Sequence, residues 1–372
     1  MYKALDKWLP AYLTRTRRRP PKDGPTDILI CVCDHYEPFH ATDKNGALAR
    51  LKSWRDNFPT LVQEFEDADG IHPRHTFFYP IEQYDTEVID QLESLTSACG
   101  GEVEIHLHHD NDTADGLREK LRQGIRDFRD HGFLSRDPSG AIRYGFIHGD
   151  WALDDSHPAG RHCGVRNELR VLRETGCYAD FTMPSAPSPT QTRAINSLYY
   201  AKGSDRPKSH DSGDRACAGA NDTRDFRDDN GRLLLIQGPL GLNWERRKRW
   251  VFPRIENGDL TGANPPTMDR VRLWLRLRNH VAARPDVLFI KLHTHGAIER
   301  NSGVFLGAPY QRFHQQLLEE YNDGEQYRVH YVTAREATNI LHALEDGRTG
   351  SPGQYRDYLY KPAGKPKADD AA

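Results

Sequence analysis

The stretch Glu102-Val-Glu-Ile-His-Leu-His-His-Asp110 carries residues that can do chemistry, at a spacing that gathers them. Side chains alternate across a strand with period two. Val103, Ile105 and Leu107 therefore share one face, and Glu104, His106 and His108 share the other. An apolar core does not accept a carboxylate and two imidazoles without partners. His109 and Asp110 extend the polar run past the strand end. The pattern recurs. Ile28–Cys33 runs into Asp34-His35-Tyr36-Glu37, Tyr144–Ile147 into His148-Gly149-Asp150-Trp151, and Val287–Leu292 into His293-Thr294-His295. Imidazoles and carboxylates converging at strand ends are the material of a metal site or of general acid–base catalysis.

The elements that must position these groups form a strand–helix rhythm. Strands are expected at 27–33, 75–80, 102–108, 143–148, 178–183, 232–237, 286–292 and 327–332. Helices are expected at 46–67, 84–98, 113–131, 164–176, 189–198, 268–283, 309–322 and 333–345. Asp112 or Thr113 can cap the helix that opens at Ala114, Thr333 with Glu336 fits a capping box, and Gly132 fits a helix stop. Alternation of this kind means parallel strands joined by crossover helices. The fold class expected is α/β, a deformed (β/α) barrel of seven or eight parallel strands, with sites at the C-terminal strand ends. On such a barrel Glu104 and Lys291 point inward, and they are expected to pair with each other or with other polar groups, unless the register of one strand is off by one.

Residues 202–232 are nearly devoid of apolar side chains and read as a long polar insertion, a surface loop or lid. The organisation expected is an N-terminal helix and basic linker at 1–25, the barrel at 26–346 and a polar tail at 347–372, its last ten residues loose.

The chain has 372 residues, 37% of them hydrophobic, and a net charge of −3, so nothing in the balance asks for nucleic acid. There is no C-x-x-C pair among the six cysteines and no apolar run long enough to span a membrane. Cys31 and Cys33 point the same way along one strand and are expected reduced, as in a cytoplasmic protein. Residues 1–19 alternate aromatic and aliphatic residues with lysine and end in a basic run. They read as a helix packed on the outside of the domain, or as a peripheral contact with the inner face of a membrane.

The order of the strand-end motifs resembles the NodB-homology polysaccharide deacetylases, carbohydrate esterase family four, over roughly residues 27–345. It is most similar to the WalW-type proteins of bacterial surface-polysaccharide pathways. The resemblance implies a deformed (β/α) barrel and a metal-dependent hydrolase that removes N-acetyl from an amino sugar of a cell-surface glycan or its precursor. Asp34 falls at the family's catalytic base, and His293, in Ile290-Lys-Leu-His293, at its catalytic acid. His35 stands where the family has an aspartate ligand. In the second motif His108 takes the first ligand position and Asp112 the second, with His106 or His109 able to supply the imidazole. Zn²⁺ is the metal expected, because imidazole outnumbers carboxylate. Substrate contacts are expected from Tyr36, Glu37, His109, Asp110, His148, Asp150, Trp151 and His295, and a carbohydrate, free or carried on lipid or nucleotide, is the expected partner. Two other readings stand beside it. One is glycoside cleavage on the same barrel by Asp34 or Glu37 with Asp150 or Asp154. The other is an inactive barrel that binds a glycan or a partner enzyme.

Overall fold

A computed structural model of the chain describes residues 2–15, 24–219, 221–249 and 251–365. Part of the expected lipid-contacting segment (1 and 16–19), part of the linker after it (20–23) and most of the expected loose tail (366–372) lie outside the described residues.

The centre is a mostly parallel, twelve-stranded sheet. Its principal strands are β1 (Thr26–His35), β2 (Thr76–Pro80), β3 (Glu102–Leu107), β4 (Ile142–His148), β5 (Cys177–Asp180), β6 (Leu198–Lys202), β7 (Arg232–Ile236), β8 (Val287–Thr294) and β9 (Tyr327–Val332). β1 to β5 pair in chain order, all parallel, and β5 passes to β7. β8 runs along one edge of β1. The other edge is shared, β9 pairing with Thr26–Cys31 and β2 with Cys33–His35. This order is that of a strand–helix barrel, but among the described residues no ladder joins β7 to β8. The outer edge of β8 is taken by a loop, with Leu260 N donating to His293 O and His293 N to Gly258 O. Asn279 spans the gap, its side chain donating to Gln237 O.

Parity along β1 assigns its side chains. Ile28, Ile30 and Val32 pack with the outer helices, in a cluster that includes Trp54, Phe58, Phe77 and Tyr36. Leu29, Cys31 and Cys33 face the other way, with Phe78, Ile147, Tyr178 and Phe289. That second face is covered by the helix Ala334–Glu345, which is buried along its whole length. The expected capping box at its start, Thr333 with Glu336, is present. So is the Thr113 cap on the amide of Gly116.

The outer side of Ala334–Glu345 is sealed by residues 356–360, part of the polar tail expected to lie outside the barrel. Asn339 accepts from the amides of Leu359 and Tyr360 and donates to the carbonyls of Arg356 and Tyr360, so all four of its hydrogen-bonding sites are used. Tyr360 stacks on Tyr178 with ring centroids 5.0 Å apart. Composition misled here because few apolar anchors are needed when buried polar groups are fully paired. The expected 202–232 insertion is likewise built in. β6 pairs antiparallel with β7, Asp214–Arg215 pairs with β6, and a helix runs over Asn221–Asp228. The helix expected at 189–198 is absent, and an antiparallel pair not foreseen (Gly241–Lys248 with Phe252–Glu256) stands before β8.

The N-terminal helix, Leu5–Thr14, docks Trp8 and Tyr12 against Leu240, Leu273 and Leu277, so its apolar face meets its own chain. No helix among the described residues is long and apolar enough to cross a membrane. The cysteines are free, with Cys31 Sγ 3.7 Å from Cys33 Sγ.

Glu104 and Lys291 do not pair. Glu104 accepts from the Tyr178 hydroxyl (2.5 Å) and the Gly145 amide (2.6 Å), and Lys291 donates to the Met183 carbonyl (3.3 Å). Burial pushes the Glu104 carboxyl up to about 8, against the lowering pull of Tyr178 and Gly145. A folded pKa above the unfolded 4.5 means that this group's stabilisation is full below pH 4.5 and is lost as pH rises to about 8. Glu104→Gln keeps an acceptor for Gly145 and gains a donor toward Tyr178. Denaturant titrations across that window should show the wild type losing on the order of 1 kcal/mol per pH unit more than the variant. Parallel pH profiles for the two proteins would remove Glu104 as the cause.

Candidate metal centre at the strand ends

β1, β3 and β8 deliver their last inward-facing residues to one place. Glu37, just past β1, is the hub. Its Oε1 lies 3.2 Å from His106 Nε2, 3.6 Å from His108 Nε2 and 3.7 Å from His295 Nε2, and its Oε2 lies 3.5 Å from His40 Nδ1. His35 stands over them, its ring centroid 5.0 Å from His106 and 4.7 Å from His295. One donor atom each from His35, Glu37 and His106 falls within 4.8 Å of the others.

The protonation pattern suits a cation. His106 Nδ1 lies 2.8 Å from the Ile147 carbonyl, to which only an N–H can bond, so in the neutral ring Nε2 offers a lone pair to the hub. This is the outer hydrogen bond that orients metal-bound histidines. His35 Nε2 is buried with no hydrogen-bond partner. Burial, and then the neighbouring His295, His106 and His293, hold His35 well below the usual histidine range, so it is neutral at pH 7. Burial alone would raise Glu37, but the imidazoles of His106, His295 and His108 outweigh it and hold the carboxyl at about 2. Imidazole nitrogens around an ionised carboxylate are a metal-ligand set.

The hub is open on one side. The side chains of His108 and His295 are 33% and 31% exposed, while His35 and His106 are buried. His108 is the rim residue with an unusual charge. Burial opposes its protonation, but Glu82, 2.7 Å from Nδ1, outweighs burial and raises its pKa. Gly149 makes room for it, since a Cβ there would lie 2.3 Å from the His108 ring. Trp151, half-buried, sits with its ring 6.0 Å from both His35 and His295. It belongs to a loop in which Asp150, Trp151, Asp154 and Asp155 all have φ between 52° and 56°. Four non-glycine residues in the left-handed region mark backbone strain that the surroundings must hold in place.

The other expected site residues are placed as follows. Asp34 is on the opposite side of β1 from His35, as parity requires. Its carboxylate accepts from Gly296 N (2.7 Å) and meets His75 Nε2 (2.9 Å) beneath Trp54. It ties the β8 loop to the helix layer and is not directed at Glu37. A Cβ on Gly296 would come within 2.3 Å of that carboxylate. Tyr36 is buried among Trp54 and Phe77 on the same helix-facing side, so it offers no wall to a ligand. His293 is beside the hub, its ring 6.2 Å from His35, but burial and then Lys291 hold it well below the usual histidine range. It is therefore neutral at pH 7 and does not start as a proton donor. Asp150 is half-exposed and paired with His162 (3.1 Å), and Asp110 accepts from the His162 amide (2.6 Å).

His109, His148 and Asp112 form a separate group. His109 Nε2 and His148 Nε2 lie 3.1 and 3.5 Å from Glu168 Oε1, and Asp112 Oδ2 lies 3.2 Å from His109 Nδ1. Glu82, Cys163 and Glu168 were not among the expected residues. Glu82 had a signal, a carboxylate just past the apolar strand Thr76–Pro80. Glu168 had none, since it lies 59 residues beyond His109 at the start of a short helix.

A surface cavity of about 700 Å³ lies beside Thr26, Leu288 and Tyr327, where β1, β8 and β9 begin, and its lining holds no histidine.

No protein-family model matches the chain, and no curated protein matches it significantly.

Proposed function

We propose that the protein is a metal-dependent hydrolase that removes N-acetyl from an amino sugar of a cell-surface glycan or its precursor, on a scaffold derived from the deformed (β/α) barrel of the NodB-homology deacetylases. The observation that carries the reading is the half-open convergence of His35, Glu37 and His106, with His108 and Trp151 on the rim. The consecutive parallel order of β1 to β5 supports the scaffold.

Amide hydrolysis needs a polarised carbonyl, a nucleophilic water and a proton for the leaving amine. His35, His106 and Glu37 would hold a divalent ion, which would supply Lewis acidity and lower the pKa of water at the site. Zn²⁺ fits a donor set richer in imidazole than in carboxylate. The remaining work falls to this chain. His108 stands at the open side with Nδ1 on Glu82 and Nε2 toward Glu37; in the imidazolium that Glu82 favours, the Nε2 proton goes to the departing nitrogen while the Nδ1 proton stays on Glu82. Trp151 gives a sugar ring or acetyl methyl an apolar face, with His295 beside it on the same open rim. Asp34 positions the Gly296 loop. The glycosidase reading loses support because Asp34 is buried with both oxygens engaged, by His75 and by Gly296, and Asp154 is buried with Oδ2 held by Ser209.

The test is acetate release from N-acetylated amino sugars offered free, on lipid and on nucleotide. Activity should vanish with a chelator and return with Zn²⁺. Folded, metal-loaded protein that releases no acetate from any of the three would end the deacetylase reading.

A further inference from the structure

The group beside the hub has the make-up of a second, closed metal site. His109 from the end of β3, His148 from the end of β4, Cys163 from the following loop and Glu168 from the helix Glu168–Glu174 place one donor atom each within 4.8 Å of one another. All four side chains are buried. The separations are 3.1 Å (His109 Nε2 to Glu168 Oε1), 3.5 Å (His148 Nε2 to the same oxygen) and 3.4 Å (Cys163 Sγ to Glu168 Oε2). Bonds of 2.0–2.3 Å to zinc put tetrahedral ligands about 3.3–3.8 Å apart. The cluster is already near that spacing.

Two further observations point to a ligand. His148 Nδ1 lies 2.6 Å from the Gly149 carbonyl, which demands an N–H, so a neutral ring turns the Nε2 lone pair inward, and that buried nitrogen has no hydrogen-bond partner. His109 Nδ1 is likewise buried with no hydrogen-bond partner, and the nearest acceptor for it is Asp112 Oδ2 at 3.2 Å, itself held by Lys120 at 2.6 Å. A ligating imidazole backed by a carbonyl or carboxylate is the usual outer support of a zinc site. Glu168 Oε2 is steadied by the Asp154 amide at 2.5 Å. Charge closes as well. One thiolate, one carboxylate and two neutral imidazoles sum to −2, which Zn²⁺ cancels inside a region that tolerates no net charge.

We infer that His109, His148, Cys163 and Glu168 form a structural Zn²⁺ site distinct from the Glu37 centre. Structural zinc sites are four-coordinate and closed, whereas catalytic ones keep an open position. This cluster is sealed where the Glu37 hub is open. Binding releases the Cys163 thiol proton to solvent and forms four bonds to the ion. The ion fixes the ends of β3 and β4 to the strained 150–155 loop and so sets where Trp151 stands.

The inference does not depend on the reaction, and sulfur separates the two centres, because the Glu37 hub contains no cysteine. Full-length protein loaded with Co²⁺ should show a thiolate-to-cobalt charge-transfer band and bind one more equivalent of metal than Cys163→Ser, which should lack the band. His106→Ala should keep it. If Cys163→Ser does not fold, X-ray absorption on the zinc-loaded wild type decides, with one sulfur expected at about 2.3 Å. A zinc shell without sulfur, or cobalt-loaded wild type without the thiolate band, overturns the site whatever the acetate assay finds.

Discussion

His106→Ala will empty the Glu37 centre and stop acetate release. His106 is the inner imidazole whose tautomer is fixed by the Ile147 carbonyl, and it gives the shortest contact to Glu37. Its loss leaves a buried carboxylate facing two looser imidazoles. A catalytic metal contributes several kcal/mol of transition-state stabilisation, so the fall in kcat/KM should be about a thousandfold or more. The checks are metal content by mass spectrometry and initial rates in added Zn²⁺. The variant should retain the thiolate-bound equivalent and lose the other. Full turnover with unchanged metal content would place the chemistry elsewhere.

His108→Gln should keep its metal and lose about 10² to 10⁴ in kcat, the usual contribution of a positioned acid or base. Glu82→Gln separates acid catalysis from simple packing. Glu82 raises the His108 pKa, so the acidic form survives to higher pH than in an ordinary histidine. Activity that needs the proton is lost as pH rises through that raised value. Removing Glu82 lowers the value, so the basic limb of the rate profile should move to lower pH. Stability follows the same sign. The His108–Glu82 pair contributes fully below the unfolded histidine pKa and less as pH rises through the folded one. A basic limb that stays in place in Glu82→Gln would remove His108 as the proton donor.

Period-two alternation was enough to read His106 and His108 as partners on one face, and the same parity applied to β1 separates His35 from Asp34. The family pattern pairs those two residues at one centre, whereas the backbone sends them to opposite sides of the strand. That is why the expected base became a positioning residue. Glu37 was read as a substrate contact because it lies past the strand, where periodicity no longer says which way a side chain points. Most helices were legible from their caps and apolar stripes. The closed cluster was not, because Cys163 and Glu168 meet His109 only through tertiary packing. The missing ladder between β7 and β8 has the same origin, since the 258–260 loop that occupies the edge of β8 carries no strand-like pattern.

The sealing of Ala334–Glu345 by residues 356–360 has a consequence for synthesis. The inner face of the sheet is covered by this helix, and the helix is finished on its outer side by Asn339 and Arg335 bonding to Arg356 and Tyr360. A chain emerging from the ribosome forms β1 to β5 early, yet it cannot complete the cover over Cys31, Phe78 and Ile147 until residue 360 has been made. At translation rates of roughly 5–20 residues per second, the second half of the chain takes on the order of ten seconds or more to appear. During that interval the nascent protein presents an apolar sheet face to solvent or to a chaperone.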